Sequence, residues 1–167
     1  MSRNKMTKDV IPNDFTLGLV LVDAIPVIFF GGSMVLAGVL FQSLLFIAGA
    51  LLALFAGVCK VLWKLIVVLK KKNIWWMFLQ MRICMPIGFV LMLAGGITSK
   101  ADLSIYKSII SSFPVLAFFI AGAVGMCLML VFGFTLDSSD VKSNWIEQIT
   151  NGLAQICFFI GLLLMVI

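Results

Sequence analysis

Five long apolar runs, separated by short polar segments, make up most of the chain. They occupy about 15–41, 44–69, 74–97, 109–135 and 146–167. Each run reaches or exceeds the roughly 20 residues that a helix needs to cross the hydrocarbon core of a bilayer. Only two residues, Gln42 and Ser43, separate the first two runs, so we expect their helices to form a tight hairpin. The pattern predicts an all-α, polytopic integral membrane protein, with a five-helix bundle as a single membrane domain over residues 15–167.

The basic residues predict the orientation of this bundle. Residues 1–14 are polar and lack the apolar stretch and cleavage site of a signal peptide. Cytoplasmic loops next to membrane spans are enriched in lysine and arginine. A cytoplasmic N-terminus places ten of the 12 basic residues at or near the cytoplasmic side, including the cluster at 70–72, and leaves only Lys100 and Lys107 outside. We therefore expect residues 1–14 in the cytoplasm and an external C-terminus.

Composition excludes several classes of protein. The chain is 63% hydrophobic and 11% charged, whereas soluble domains are about 45–50% apolar and about 25% charged, so a soluble fold is excluded. There is no histidine, and the four cysteines lie singly within apolar runs. These features predict no metal site, no cofactor and no enzymatic activity. The net charge of +5 lies mostly beside the spans, so we expect no nucleic-acid partner. Abundant Phe, Ile, Met and Lys with short loops favours a bacterial cytoplasmic membrane.

Charged residues inside the spans are the first candidate site. An intramembrane charge costs at least roughly 2.5–3.5 kcal/mol on insertion scales, so it needs a partner or a function. Asp23 and Arg82 each lie about eight residues into spans that run in the same direction. We therefore predict that they share a depth and contact each other, with Lys60 in the same layer. Two interpretations remain open, a ligand or ion site and an ion pair that fixes helix register. For Lys64, the expectation is a side chain that extends to the cytoplasmic headgroups.

Amide side chains in the fifth span are the second candidate. Asn144, Gln148, Asn151 and Gln155 are spaced four, three and four residues apart, which places them within about a 60° arc of a helix. Such a stripe is expected to face the bundle or a polar cavity rather than lipid. It is interpreted either as a cavity lining or as interhelical hydrogen bonding. In the third span, Gln80 is expected to bond to a neighbouring helix.

These placements predict one polar layer in the cytoplasmic half, formed by Asp23, Arg82, Asn151, Gln155 and Lys60. Apolar side chains at Phe30, Phe89 and Leu162 are expected to seal it on the outer side. The leading hypothesis is a small transporter or channel with a cytoplasm-facing pocket for a small polar or anionic solute. The alternative is a non-catalytic structural or regulatory subunit that packs against other membrane proteins. The expected partners are the lipid bilayer and a second copy or another membrane protein.

Overall fold

The computed structural model describes residues 15–99, 109–136 and 140–167. Within these ranges the regular structure is entirely helical, and five helical segments are long and apolar enough to cross a membrane. The predicted helical class is therefore confirmed, as is the predicted number of helices long and apolar enough to cross a membrane. The predicted polar N-terminal segment, residues 1–14, lies outside the described residues.

The helices follow the predicted spans with two differences. They are α1 (Leu17–Phe41), α2 (Leu44–Lys70), α3 (Trp75–Leu79), α4 (Met81–Ile97), α5 (Val115–Thr135) and α6 (Val141–Val166); α3 and α4 together form the third span. The first three spans agree with the predicted bounds to within two residues.

The two differences lie at the starts of α5 and α6, and each has a local cause. Helix α5 begins six residues later than predicted, directly after Pro114, because proline has no backbone N–H with which to continue a helix from the preceding residues. Helix α6 begins five residues earlier than predicted, because the Asp140 carboxylate accepts a hydrogen bond from the backbone N–H of Ser143 and caps the helix. Residues 141–145, which include the polar Lys142, Ser143 and Asn144, therefore belong to the helix.

The first two spans form the expected tight hairpin. Helix α1 ends at Phe41, and the next residue, Gln42, has a φ of 48° that places it in the left-handed region. Helix α2 then starts at once, because the Ser43 side chain accepts a hydrogen bond from the backbone N–H of Phe46. This short connection fixes the antiparallel register of α1 and α2.

The helices pack in the order α4, α2, α1, α6, α5. Helix α1 is central: Val27 on one side meets Gly57 of α2, and Ile25 and Pro26 on the other meet Gly152 of α6. Helix α2 therefore lies between α1 and α4. The outer faces of α4 and α5 are exposed and apolar, as a surface in contact with lipid would be.

Glycines bring α2 and α4 unusually close together. A Cβ atom on Gly49 would lie 2.6 Å from the carbonyl oxygen of Gly88 and 2.7 Å from the backbone nitrogen of Met92. A Cβ atom on Gly88 would in turn lie 3.0 Å from that of Ala53. Gly49 and Ala53 thus form the face of α2 that packs against α4, as small residues at four-residue spacing favour. Gly57 continues the same spacing but meets Val27 of α1 instead.

Two apolar clusters lie at opposite ends of the bundle. We call one end the basic end, because α2 finishes there with Lys70. Its cluster contains Phe15, Leu19, Trp63, Val67 and Met77. The other cluster contains Ala37, Phe46, Ala50, Ala53 and Met92, with Phe30 and Leu162 packed against it. The Phe30 and Phe89 rings are 6.3 Å apart, so the three side chains predicted to seal the polar layer do gather at this end.

Candidate functional site

An aspartate lies between two lysines in the region between the two apolar clusters. The Lys64 Nζ atom is 3.2 Å from Asp23 Oδ2, and the Lys60 Nζ atom is 3.6 Å from Asp23 Oδ1. The side chains of Asp23 and Lys64 are each 2% exposed, whereas that of Lys60 is 25% exposed. The carboxylate therefore holds one lysine in the interior and a second at the edge of the bundle.

The ammonium group of Lys64 is held by three kinds of contact. Besides Asp23, it lies 3.5 Å from the side-chain oxygen of Asn144 and donates to it. It also lies 5.6 Å from the centre of the Phe15 ring, a cation–π geometry. Asn144 is oriented in turn by its own Nδ2, which donates to the backbone carbonyl of Asp140 at 2.9 Å. Helix α6 thus contributes directly to the site that α1 and α2 form.

Gln148 lies in the same layer and has an unpartnered acceptor. Its side chain is 1% exposed, and its Oε1 atom has no hydrogen-bond partner among the described residues. Because Trp145 faces Gly18 and Gly152 faces Ile25, Gln148 lies at the level of residues 21–22 of α1, within one helical turn of Asp23. A buried amide oxygen without a donor is costly in an apolar environment.

Glu147 completes the group. It is half-buried and close enough to interact electrostatically with Asp23, Lys60 and Lys64. We define the charged layer as Asp23, Lys60, Lys64, Asn144, Glu147 and Gln148. Its two formal positive charges are offset by its two carboxylates.

Arg82 does not belong to this layer, so the predicted contact between Asp23 and Arg82 is wrong. Arg82 is exposed, and its guanidinium group lies 5.1 Å from the centre of the Phe78 ring. The predicted depth is approximately right, but α2 lies between α1 and α4 and supplies the lysines that Asp23 contacts.

The expectation for Lys64 is also wrong, since its side chain is buried rather than extended to the membrane surface. The short connection between α1 and α2 contains the information that predicts the correct position of Lys64. Counting outward from the turn at Gln42 and Ser43, Asp23 lies opposite Leu62, so Lys60 and Lys64 bracket it. Four-residue spacing then places both lysines on one face of α2.

The amide stripe divides between two interfaces. Asn144, Gln148 and Gln155 are buried, at 5%, 1% and 8% exposed, and Asn151 is half-buried. Gln155 faces away from the charged layer, because its Nε2 lies 3.6 Å from Met126 Sδ on α5. The predicted single layer is therefore wrong for Gln155 as well as for Arg82.

Gln80 makes the interhelical bond expected of it. Its Nε2 donates to the carbonyl of Ala56 on α2 at 3.4 Å and to that of Met77 at 3.1 Å.

Aromatic side chains cover the charged layer toward the basic end. The Phe15 and Trp63 rings meet edge to face with centres 6.2 Å apart, and Trp145 packs against the same cluster. The indole N–H of Trp63 donates to Asn73 Oδ1 at 3.0 Å, which fixes this cover to the loop after α2. The layer is thus enclosed between aromatic and aliphatic side chains.

The side chains of the charged layer carry charge or can form hydrogen bonds. Within the described residues, no three His, Cys, Asp or Glu side chains gather in a way that could hold a metal ion. The charged layer combines carboxylate, amide and ammonium groups, which recognise polar solutes through hydrogen bonds and charge. No protein-family model matches this chain, and no curated protein or solved structure matches it significantly.

Proposed function

We propose that the protein is a small multi-pass carrier whose charged layer binds a small polar solute. The observation that carries this proposal is the pair of unequal lysines on one buried carboxylate. Ionisable groups within membrane spans are rare and commonly mark the path of a solute or ion. In the proposed orientation, the N-terminus and the basic end face the cytoplasm of a bacterial cell.

The difference between the two lysines suggests how the site could work. Lys64 is buried and contacts Asp23, Asn144 and the Phe15 ring. Lys60 is farther from Asp23 and 25% exposed. Lys60 can therefore leave the carboxylate while the Asp23–Lys64 pair stays intact, so a solute could take its place without leaving an isolated buried charge.

The packing supports an occluded form of such a carrier. Phe15, Trp63 and Trp145 close the layer toward the basic end, and Phe30 and Leu162 pack with the apolar cluster on the other side. Movement of the aromatic cover would open the layer to the cytoplasm. An anionic solute is less favoured than the sequence suggested, because Arg82 lies outside the charged layer and the two carboxylates of the layer offset its two lysines.

Uptake into proteoliposomes tests the proposal. The purified protein is reconstituted, and uptake of labelled glycine, putrescine and succinate covers the zwitterionic, cationic and anionic classes. We expect one class to accumulate, and Asp23→Asn to abolish that uptake. Arg82→Gln is the matched control, since it removes an intramembrane charge of similar depth outside the layer. Equal uptake by wild type and Asp23→Asn, or no uptake above empty liposomes, would contradict the proposal.

A second candidate is a structural or regulatory subunit of a membrane complex. The close burial of Asp23 and Lys64 favours it, because a buried ion pair can fix helix register without binding any solute. In this case, mild solubilisation of the native membrane should recover a stoichiometric membrane partner, and reconstituted protein should transport none of the three solutes.

A further inference from the structure

We infer that the charged layer takes a primary ammonium group, which replaces the ammonium of Lys60 at Asp23. This inference rests on the proposed carrier function and specifies its class of solute. It concerns a small organic cation that carries N–H donors.

The unpartnered oxygen of Gln148 is the first observation. Its side chain is 1% exposed, so bulk water does not satisfy the Oε1 atom. Gln148 lies within one helical turn of the level of Asp23, between the α6 residues that face Gly18 and Ile25. A ligand with several N–H donors could bond to Asp23 and Gln148 together.

The surroundings of Lys64 are the second observation. The chain already holds one primary ammonium group in this layer, through the Asp23 carboxylate at 3.2 Å, the Asn144 amide oxygen at 3.5 Å and the Phe15 ring. A carboxylate, an amide oxygen and an aromatic face are the groups that recognise organic ammonium ions. Two further acceptors of this chemistry lie in the layer: Asp23 Oδ1, which the partly exposed Lys60 contacts at 3.6 Å, and Gln148 Oε1, which lacks a donor among the described residues.

The loose position of Lys60 is the third observation. Its Nζ atom lies 3.6 Å from Asp23 Oδ1, and its side chain is 25% exposed. Because one cation replaces another, the exchange preserves the charge balance of the layer. An anion would add acceptors to a layer whose Gln148 acceptor already lacks a donor, and it would be repelled by Asp23 and Glu147.

The test measures binding of three simple probes to the full chain in lipid nanodiscs by calorimetry. Methylammonium has N–H donors and positive charge, tetramethylammonium has the charge alone, and acetate is an anion. We expect methylammonium to bind, and the other two to bind at least about tenfold more weakly, because a hydrogen bond to a charged group is worth about one to two factors of ten.

The direction in which Lys60→Met changes the affinity for methylammonium is the most direct test of the inference. Removal of the tethered ammonium from Asp23 should tighten methylammonium binding by on the order of tenfold, because an intramolecular competitor is lost. Arg82→Met, which also removes a cation, should leave the affinity unchanged. A gain in affinity cannot come from misfolding. Gln148→Leu should weaken methylammonium binding by about tenfold, while the variant keeps the elution volume of the wild type.

Each contrary result has a distinct meaning. Acetate binding that Lys60→Met abolishes would overturn the ammonium inference and leave a carrier for anions. Unchanged or weaker methylammonium binding in Lys60→Met would also overturn it. Absence of binding by all three probes overturns the inference alone if proteoliposomes still accumulate a solute, and overturns the carrier proposal too if they do not.

Discussion

Replacement of Asp23 by leucine should be among the most destabilising single changes in the chain. Two ammonium groups contact this one carboxylate, at 3.2 and 3.6 Å, and Lys64 is 2% exposed. Asp23→Leu leaves Lys64 without a carboxylate at hydrogen-bonding distance, in a layer enclosed by apolar side chains. Removal of one partner from a buried ion pair is far more harmful than removal of both.

The expected magnitude follows from these distances. At an effective dielectric constant of about 20, charges 3.2 and 3.6 Å apart attract by roughly 5 kcal/mol each before desolvation is considered. Burial of the carboxylate offsets much of this attraction. Measured losses on breaking buried pairs are about 3–5 kcal/mol, and we expect Asp23→Leu to fall in that range.

A double-mutant cycle isolates the pair. Asp23→Leu, Lys64→Met and the double variant are unfolded by SDS titration in mixed micelles, with helical circular dichroism as the readout. The double variant should regain most of the lost free energy of unfolding, because two apolar side chains replace the pair. Arg82→Met is the control and should change stability by less than about 0.5 kcal/mol, as exposed substitutions usually do.

Two results of the cycle would contradict a buried, interdependent pair. A loss in Asp23→Leu no larger than that in Arg82→Met would show that the pair is not a buried, interdependent unit. Additive losses in the double variant would show that Asp23 and Lys64 do not interact in the membrane protein.

Three further predictions concern packing, capping and the two lysines. Gly49→Ala should lower the free energy of unfolding by about 1–3 kcal/mol, because the new Cβ would meet α4 backbone at 2.6 Å; Gly133→Ala, with nothing within 4 Å, should be neutral in the same SDS titration. Asp140→Ala should fray the start of α6, seen as faster amide exchange there. The backbone N–H of Ser143 lowers the pKa of Asp140 from its ordinary value of 3.8. The difference in stability between the wild type and Asp140→Ala should therefore be fully present above pH 3.8 and should disappear as the pH falls through the lowered pKa. Lys64→Met should destabilise more than Lys60→Met, because Lys64 is 2% exposed and Lys60 25%; equal losses would contradict their unequal roles.

Much of the fold was accessible from the sequence because the bilayer restricts the choices. Runs of about 20 apolar residues must be helical, since lipid cannot satisfy backbone polar groups. Local chemistry decided the two wrong boundaries. Pro114 delayed the start of α5, and the cap formed by Asp140 brought polar residues into α6. Both signals are present in the sequence, but apolar run length alone does not detect them.

The site was harder to predict, because depth does not determine neighbours. Asp23 and Arg82 have comparable depths, yet the packing order places α2 between their helices. Helix order depends on which small residues meet, here Gly49 with Gly88, and periodicity on a single helix does not encode it. The register of the α1–α2 hairpin was the overlooked constraint, since it alone places Lys60 and Lys64 beside Asp23.

Solute uptake by a variant that folds but lacks the pair distinguishes a charged layer that binds a solute from one that only holds helices together. The Asp23→Leu/Lys64→Met variant, once shown to match the wild type in stability, is reconstituted beside it and assayed with glycine, putrescine and succinate. We expect uptake by the wild type and none by the variant. Equal uptake by both proteins, or none by either, would contradict solute binding by the layer.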